Sequence, residues 1–261
     1  MSVTIKVVTF NLRCNTKHDE FNMFDNRKGL VLAKIDAEKP DIIGFQEMKP
    51  DMRKFLAAHL PEYHIVGRSR SDDYTGEHVD IAYRKDTLEV FGLDFFWLSP
   101  TPYVPGSRYE DQSTCPRITT SGIFKHKDLK TPFRMINTHL DHIGESARVL
   151  GMTQILNKLT EENAKFRLPT FITGDMNATP DSETIKLTRD YTDMPLVDLT
   201  ADIPVTFHGF GRTEIKIDYI ITDAETAKGH ISTKVWDDCN YGLYLSDHHA
   251  VEAVIEMSDP E

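Results

Sequence analysis

Short apolar runs rich in β-branched residues recur along the whole chain, and six of them stop, start or break on a carboxylate, amide or imidazole. The runs fall at residues 3–10, 42–45, 79–83, 118–124, 133–138, 170–173 and 215–222, with AVEAVI at 250–255 after them, and have the length and composition of strands. Helical periodicity fills some of the gaps. Val149, Met152, Leu156 and Leu159 share one face of a helix predicted over 146–162, and shorter helices are predicted over 29–38 and 50–60. The early and late segments alternate strand with helix, whereas the middle is nearly all strand. A doubly wound parallel sheet would alternate throughout, so the pattern predicts a mixed-sheet α/β sandwich. Residues 99–117, rich in Pro, Gly and polar residues, read as a long loop of the kind that carries function in a compact domain.

The chain has 261 residues, no internal repeat and no flexible linker, which predicts one domain over 1–261. At 39% hydrophobic residues it can build a core without disulfides or a structural metal. Its three cysteines, Cys14, Cys115 and Cys239, are odd in number and lack the spacing of a zinc site. Thirty Lys+Arg against 41 Asp+Glu give a net charge of −11, which excludes a generally basic duplex-DNA binder. A local groove from Arg13, Arg27, Lys28, Arg117 and Arg212 is compatible with that charge. No apolar stretch is long enough to span a membrane. The expectation is a cytoplasmic monomer, and a secreted protein shorn of its signal would read the same way.

The six polar clusters carry the chemistry. Asn11 follows VVTF, Gln46-Glu47 follows IIGF, Asn137-Thr138-His139 follows FRMI and Gly174-Asp175-Met176-Asn177 follows TFIT. Asp218 interrupts IKIDYII, and Ser246-Asp247-His248-His249 precedes AVEAVI. A single Asn or Asp after a strand is ordinarily a turn or cap residue. Six such clusters instead predict a convergent site, since strand ends are rigid and the loops beyond them open. Glu47, Asp175, Asp247, Asn11 and Asn177 offer hard oxygen donors, which suit Mg2+, with Mn2+ as a substitute. His139 and His248 can move protons or hold a phosphate near neutral pH. Metal, imidazole and amide together fit water attack on a phosphate ester. The run Thr138-His139-Leu140-Asp141-His142 approaches a dinuclear zinc motif, but Leu140 stands where that motif needs a histidine.

The ordered set TFN, QE, YR, NTHL, GDMN, IDYI and SDH resembles the endonuclease/exonuclease/phosphatase superfamily, from residue 9 to residue 249. That superfamily includes pancreatic-type deoxyribonucleases, inositol-polyphosphate 5-phosphatases, neutral sphingomyelinases and poly(A) deadenylases. The segments DNRK, YRKD, FWLS, PGS, CPR, NTHLDH and TFHGF further resemble bacterial members of unassigned substrate. The resemblance implies a DNase I-like, four-layer α/β/β/α sandwich of two mixed, mainly antiparallel sheets, with the site at one end. It implies Glu47 as principal Mg2+ ligand, with Asn11 and Asp247 completing the metal shell. Asp175 would orient or deprotonate water, Asn177 would hold the phosphate or the water, and His248 would contact a non-bridging oxygen or act as base. Asp218 would fix the His248 tautomer, and His139 would stabilise the transition state. Glu77, seven residues before Arg84, is expected to bond His139 and raise its proton affinity. Arg117, Arg27, Phe207 and His208 are expected substrate contacts.

Departures from those relatives bear on substrate. Phe24 stands where several have Trp, and the 99–117 loop has no tryptophan. Fewer large aromatics, with the acidic charge, favour a small or single-stranded phosphoester. The competing functions are a nuclease acting on DNA or RNA and, more remotely, an inactive binding module. The latter is disfavoured because the metal Glu, the GDxN Asp and the SDH His are all intact.

Overall fold

The structure is a computed structural model that describes residues 2–259. Its strands are β1 (Ser2–Asn11), β2 (Ile42–Met48), β3 (Tyr63–Ser69), β4 (His78–Arg84), β5 (Leu88–Trp97), β6 (Ile118–His126) and β7 (Phe133–His139). They continue as β8 (Thr170–Asp175), β9 (Leu196–Asp198), β10 (Asp218–Asp223), β11 (His230–Trp236), β12 (Cys239–Asn240), β13 (Leu243–Tyr244) and β14 (Ala250–Ser258). The α-helices are α1 (Phe24–Glu38), α2 (Pro50–His59), α3 (Glu145–Asn163), α4 (Glu183–Arg189) and α5 (Ala224–Ala227).

Two six-stranded sheets form, in the orders β11-β14-β1-β2-β4-β3 and β5-β6-β7-β8-β10-β9, while β12 and β13 make a separate hairpin. Alternation along the strands sorts the side chains into layers. Ile5, Val7, Ile42 and Ile81 of the first sheet pack against Phe133, Met135, Phe171 and Ile220 of the second. Val8, Phe10, Ile43 and Phe45 point the other way, onto Phe24, Val31 and Ile35 of α1 and Met52 and Leu56 of α2. Ile136, Ile172 and Tyr219 meet Met152, Ile155 and Leu159 of α3 and Ile185 of α4. This is the four-layer α/β/β/α arrangement of DNase I-like proteins. In α3 the buried face turns slightly from the predicted one: Ile155 joins the core and Val149 is only half-buried.

Each sheet has one parallel pair at its centre, β1 with β2 and β7 with β8. Their outer neighbours β14, β4, β6 and β10 run antiparallel to them. Four strands therefore end, and four begin, at the same end of the sandwich, which is where the polar clusters collect. The run predicted over 215–222 becomes a strand only from Asp218, so that this aspartate opens β10 at that end rather than interrupting its middle. Below the cluster, Asn137 ties the sheets together by donating to the carbonyls of Phe45 and Asp80 at 2.9 and 2.8 Å and accepting from Gln46 Nε2 at 2.7 Å. Gly44 faces this junction, and a Cβ there would lie 2.5 Å from Asn137 Oδ1.

Candidate active site

Two backbone irregularities aim the acidic groups. Register breaks between Phe45 and Met48 of β2, and Glu47 takes a φ of 58°, a bulge that turns its carboxylate out of the strand's alternation. Asn177, just past β8, is likewise left-handed at φ 46°. Such values in non-glycine residues cost energy and collect where function fixes them.

Asn11 stands between the two sheets' carboxylates. Its Nδ2 donates to Glu47 Oε1 at 3.2 Å and to Asp175 Oδ2 at 2.9 Å, while its Oδ1 accepts from the Arg13 N–H at 2.9 Å. The second Glu47 oxygen accepts from the Cys14 N–H at 3.0 Å. Asp175 Oδ1 accepts from Asn177 N at 2.9 Å, and its Oδ2 lies 3.4 Å from His139 Nε2 and 3.8 Å from His248 Nε2. On its other edge, His248 Nδ1 bonds Asp218 Oδ2 at 2.8 Å. Asp247 lies 4.0 Å from His248 Nε2 and 3.7 Å from Arg13 Nε. Asp175, Asp218 and His248 present ligand-type atoms within 4.8 Å of one another, as do Cys14, Glu47 and Glu77.

This crowding sets proton affinities. Burial pushes Asp175 up to about 7, with the Asp218 charge adding to it. Burial also opposes the Glu47 charge, but the Cys14 N–H, His248, Arg13 and Asn11 outweigh it and hold Glu47 below its ordinary value. The two histidines diverge although both are buried. For His248 the desolvation cost is overcome by Asp218, Asp175 and Asp247, and its pKa rises to about 10. His139 is held neutral by burial together with the positive charges of Arg117 and Arg70. Neighbouring groups whose affinities are driven apart in this way are a mark of acid–base sites.

The cleft over these groups has a volume near 370 Å3 and is lined on its other side by Arg70, Glu77, Cys115, Arg117 and His142. Phe207 completes the wall, its ring centroid 4.8 Å from that of His248.

The endonuclease/exonuclease/phosphatase family model matches residues 8–248. The chain belongs to the endonuclease/exonuclease/phosphatase family. An endonuclease/exonuclease/phosphatase protein from Bacteroides vulgatus is 31% identical, covering 98% of this chain and 100% of that one, with a TM-score of 0.89. A mannosyl-6-phosphatase from Bacteroides thetaiotaomicron is 27% identical over 96% of this chain and 99% of that one, with a TM-score of 0.83. An uncharacterized protein of Acanthamoeba polyphaga mimivirus is 28% identical over 66% of this chain and 67% of that one. Among the described residues of this family member, no helix is long and apolar enough to cross a membrane.

The sandwich brings Asn11, Glu47, His139, Asp175, Asn177, Asp218, Asp247 and His248 together, with Phe207 against His248 and Arg117 on the opposite wall. Three expected residues do otherwise. Arg27 is fully buried in α1 and lies outside the cleft. Its guanidinium donates to the carbonyls of Asn22, Arg13 and Leu245 at 2.9, 2.6 and 2.6 Å, tying three rim segments together. His208 also lies outside: its Nδ1 accepts from the Gly211 N–H at 3.2 Å, and its ring stacks on His249. Glu77 lines the cleft but pairs with Arg70 at 2.9 Å, not with His139, because the turn between β3 and β4 sets them side by side. Asp141 of the discarded zinc motif is a brace. It accepts from Ser113 N–H and Oγ and from the N–H groups of Ile143 and Gly144. Arg70 and His142 are cleft residues that sequence reasoning missed. A polar turn gives no sign of which cation faces inward.

Proposed function

We propose that the chain is a divalent-metal-dependent phosphoester hydrolase, with Mg2+ as its ion and small esters as its substrates. The convergence of Glu47 and Asp175 on the side-chain amide nitrogen of Asn11 carries this reading. Two carboxylates lean on one neutral NH2 group, and burial with like charge drives Asp175 up to about 7, so a cation at this point would relieve both. The oxygen donors of Glu47, Asp247 and Asn11 suit a hard ion. Held there, such an ion would supply Lewis-acid polarisation of a phosphoryl oxygen and offset the charge that grows on it.

The residues divide the remaining work. Asp175, oriented by the Asn177 N–H, takes a proton from the attacking water. Asn177 and the His248 imidazolium, locked by Asp218, hold non-bridging oxygens, while neutral His139 faces the phosphorus from the other side of Asp175. The P–O bond to water forms, the P–O bond to the leaving group breaks, and the proton taken from water returns to the leaving oxygen. Small substrates are supported by the net charge of −11, the modest cleft and the likeness to a sugar-phosphate phosphatase.

The test is a panel of mannose 6-phosphate, other sugar phosphates, nucleotides, and single-stranded and duplex DNA, each with Mg2+, Mn2+ or EDTA. Metal-dependent turnover of small esters at rates matching or exceeding those on DNA supports the reading. Turnover of duplex DNA alone, or activity indifferent to EDTA, overturns it.

A further inference from the structure

One wall of the cleft holds donors that nothing in the protein uses. Arg117 is 3% exposed, and its Nε and Nη1 atoms are buried without hydrogen-bond partners. Only Nη2 is engaged, with His142 Nδ1 at 2.8 Å. Asp141 approaches Nε to 3.5 Å, but its oxygens already serve Ser113, Ile143 and Gly144. Arg70, paired with Glu77 at 2.9 Å, lines the same wall, and its charge adds to the burial that disfavours the Arg117 cation. A buried guanidinium with unspent N–H groups beside a second guanidinium is completed by an anion.

The wall is also closed from behind. Loop 99–117 is pinned to the segment before α3 through Ser113 on Asp141 and to α3 itself through Ser146 Oγ on Asp111 Oδ2 at 2.9 Å. The fit is tight enough that a Cβ on Gly144 would lie 2.5 Å from the Asp111 carbonyl oxygen. Guanidinium and a packed loop thus back the cleft on the Arg117 side.

We propose that Arg117, with Arg70 and His142, makes this cleft a phosphomonoesterase site that selects the terminal phosphoryl dianion and rejects phosphodiesters. This rests on the phosphoester-hydrolase reading of the same cleft. A monoester offers two negative charges and three unsubstituted oxygens, one of which meets the Arg117 donors. A diester carries one charge and places carbon on one of those oxygens, leaving the guanidinium unpaired or forcing the loop aside.

Two measurements test it on the whole protein. With Mg2+, kcat/KM for p-nitrophenyl phosphate is expected to exceed that for bis-p-nitrophenyl phosphate by about 10-fold or more. Arg117→Gln is expected to lower the monoester value by about 10- to 100-fold, the scale of a lost charge-assisted contact, with a much smaller loss on the diester. Calorimetry supplies a readout free of turnover: inorganic phosphate binds the wild type more tightly than dimethyl phosphate does, and Arg117→Gln erases that difference. If Arg117→Gln does not fold, Arg70→Gln and the wild-type comparisons decide. Equal or better diester turnover, or equal binding of the two phosphates, overturns the proposal while leaving the hydrolase reading standing. Hydrolysis of neither ester in the presence of metal overturns the hydrolase reading itself.

Discussion

The two walls of the cleft are built on opposite plans. On the acidic wall nearly every group is committed: Asn11 spans Glu47 and Asp175, Asn177 braces Asp175, and Asp218 grips His248. On the basic wall the cations are held in place but keep donors in reserve, as with Nε and Nη1 of Arg117. His139 and His248 measure the difference. Both are buried, yet burial with the arginines keeps His139 neutral, while carboxylates outweigh burial and charge His248. The contrast teaches that the acidic wall is set for its chemistry before substrate arrives, whereas the basic wall is completed by the substrate's own charge.

The largest effect is expected from breaking the acidic wall at its centre. Glu47→Gln keeps the side chain's shape and removes one ligand charge, which should cost several kcal/mol of transition-state stabilisation, or about 10³-fold in turnover. The melting profile of the metal-free variant should stay that of a folded protein. Wild-type turnover and Mg2+ affinity in Glu47→Gln would remove Glu47 from the metal site.

Next comes the histidine on the same wall. His248→Ala should lose about 10²- to 10⁴-fold, the range of a general acid–base group, and Asp218→Asn distinctly less. An asparagine can still hold the ring but cannot stabilise imidazolium. Equal kcat in Asp218→Asn and wild type between pH 6 and 9 would show that the pair has no part in turnover.

The extent to which the site could be read from the sequence follows the same division. Asn11, Glu47, Asp175, Asp218 and His248 stand out because polar residues at the ends of buried strands need a reason, and strand ends are fixed by the alternation beside them. Eight strand ends at one pole of the sandwich turn that pattern into a site. Arg70 and His142 sit in turns, where a charge ordinarily points to water, and only tertiary contacts select the inward rotamer. Arg27 misleads in the opposite direction: expected at the substrate, its guanidinium is spent on the carbonyls of Asn22, Arg13 and Leu245, a use that only the tertiary fold sets up. The Glu77 pairing fails because Arg70, its actual partner, lies across a hairpin whose register the sequence leaves open.

A smaller, separable effect concerns pH and stability. The folded-state pKa of His248, about 10, lies above the ordinary 6.5. The ion pair with Asp218 therefore stabilises the fold fully below about pH 6.5 and loses that contribution as pH rises through about 10. The Tm difference between metal-free wild type and Asp218→Asn should be widest near pH 6 and narrow by pH 10. A difference that does not change over that range would separate His248 from Asp218.

The smallest expected effect is that of salt. Each phosphate contact on B-DNA contributes ~−0.9 to the slope of log K against log salt. With one short basic wall and a net charge of −11, the slope for any DNA binding should stay within one or two contacts' worth. A steep slope would mean that the basic wall continues as a groove along the surface.

The most direct test of the division between the walls is a crystal structure with Mn2+ and inorganic phosphate together, located by the anomalous signal of the metal. The expected result places Mn2+ on the carboxylate of Glu47 beside Asn11 and Asp247, with the phosphate between it and Arg117, touching His139, Asn177 and His248. Mn2+ bound away from Glu47, or phosphate that leaves the Nε and Nη1 groups of Arg117 unpaired, would contradict it.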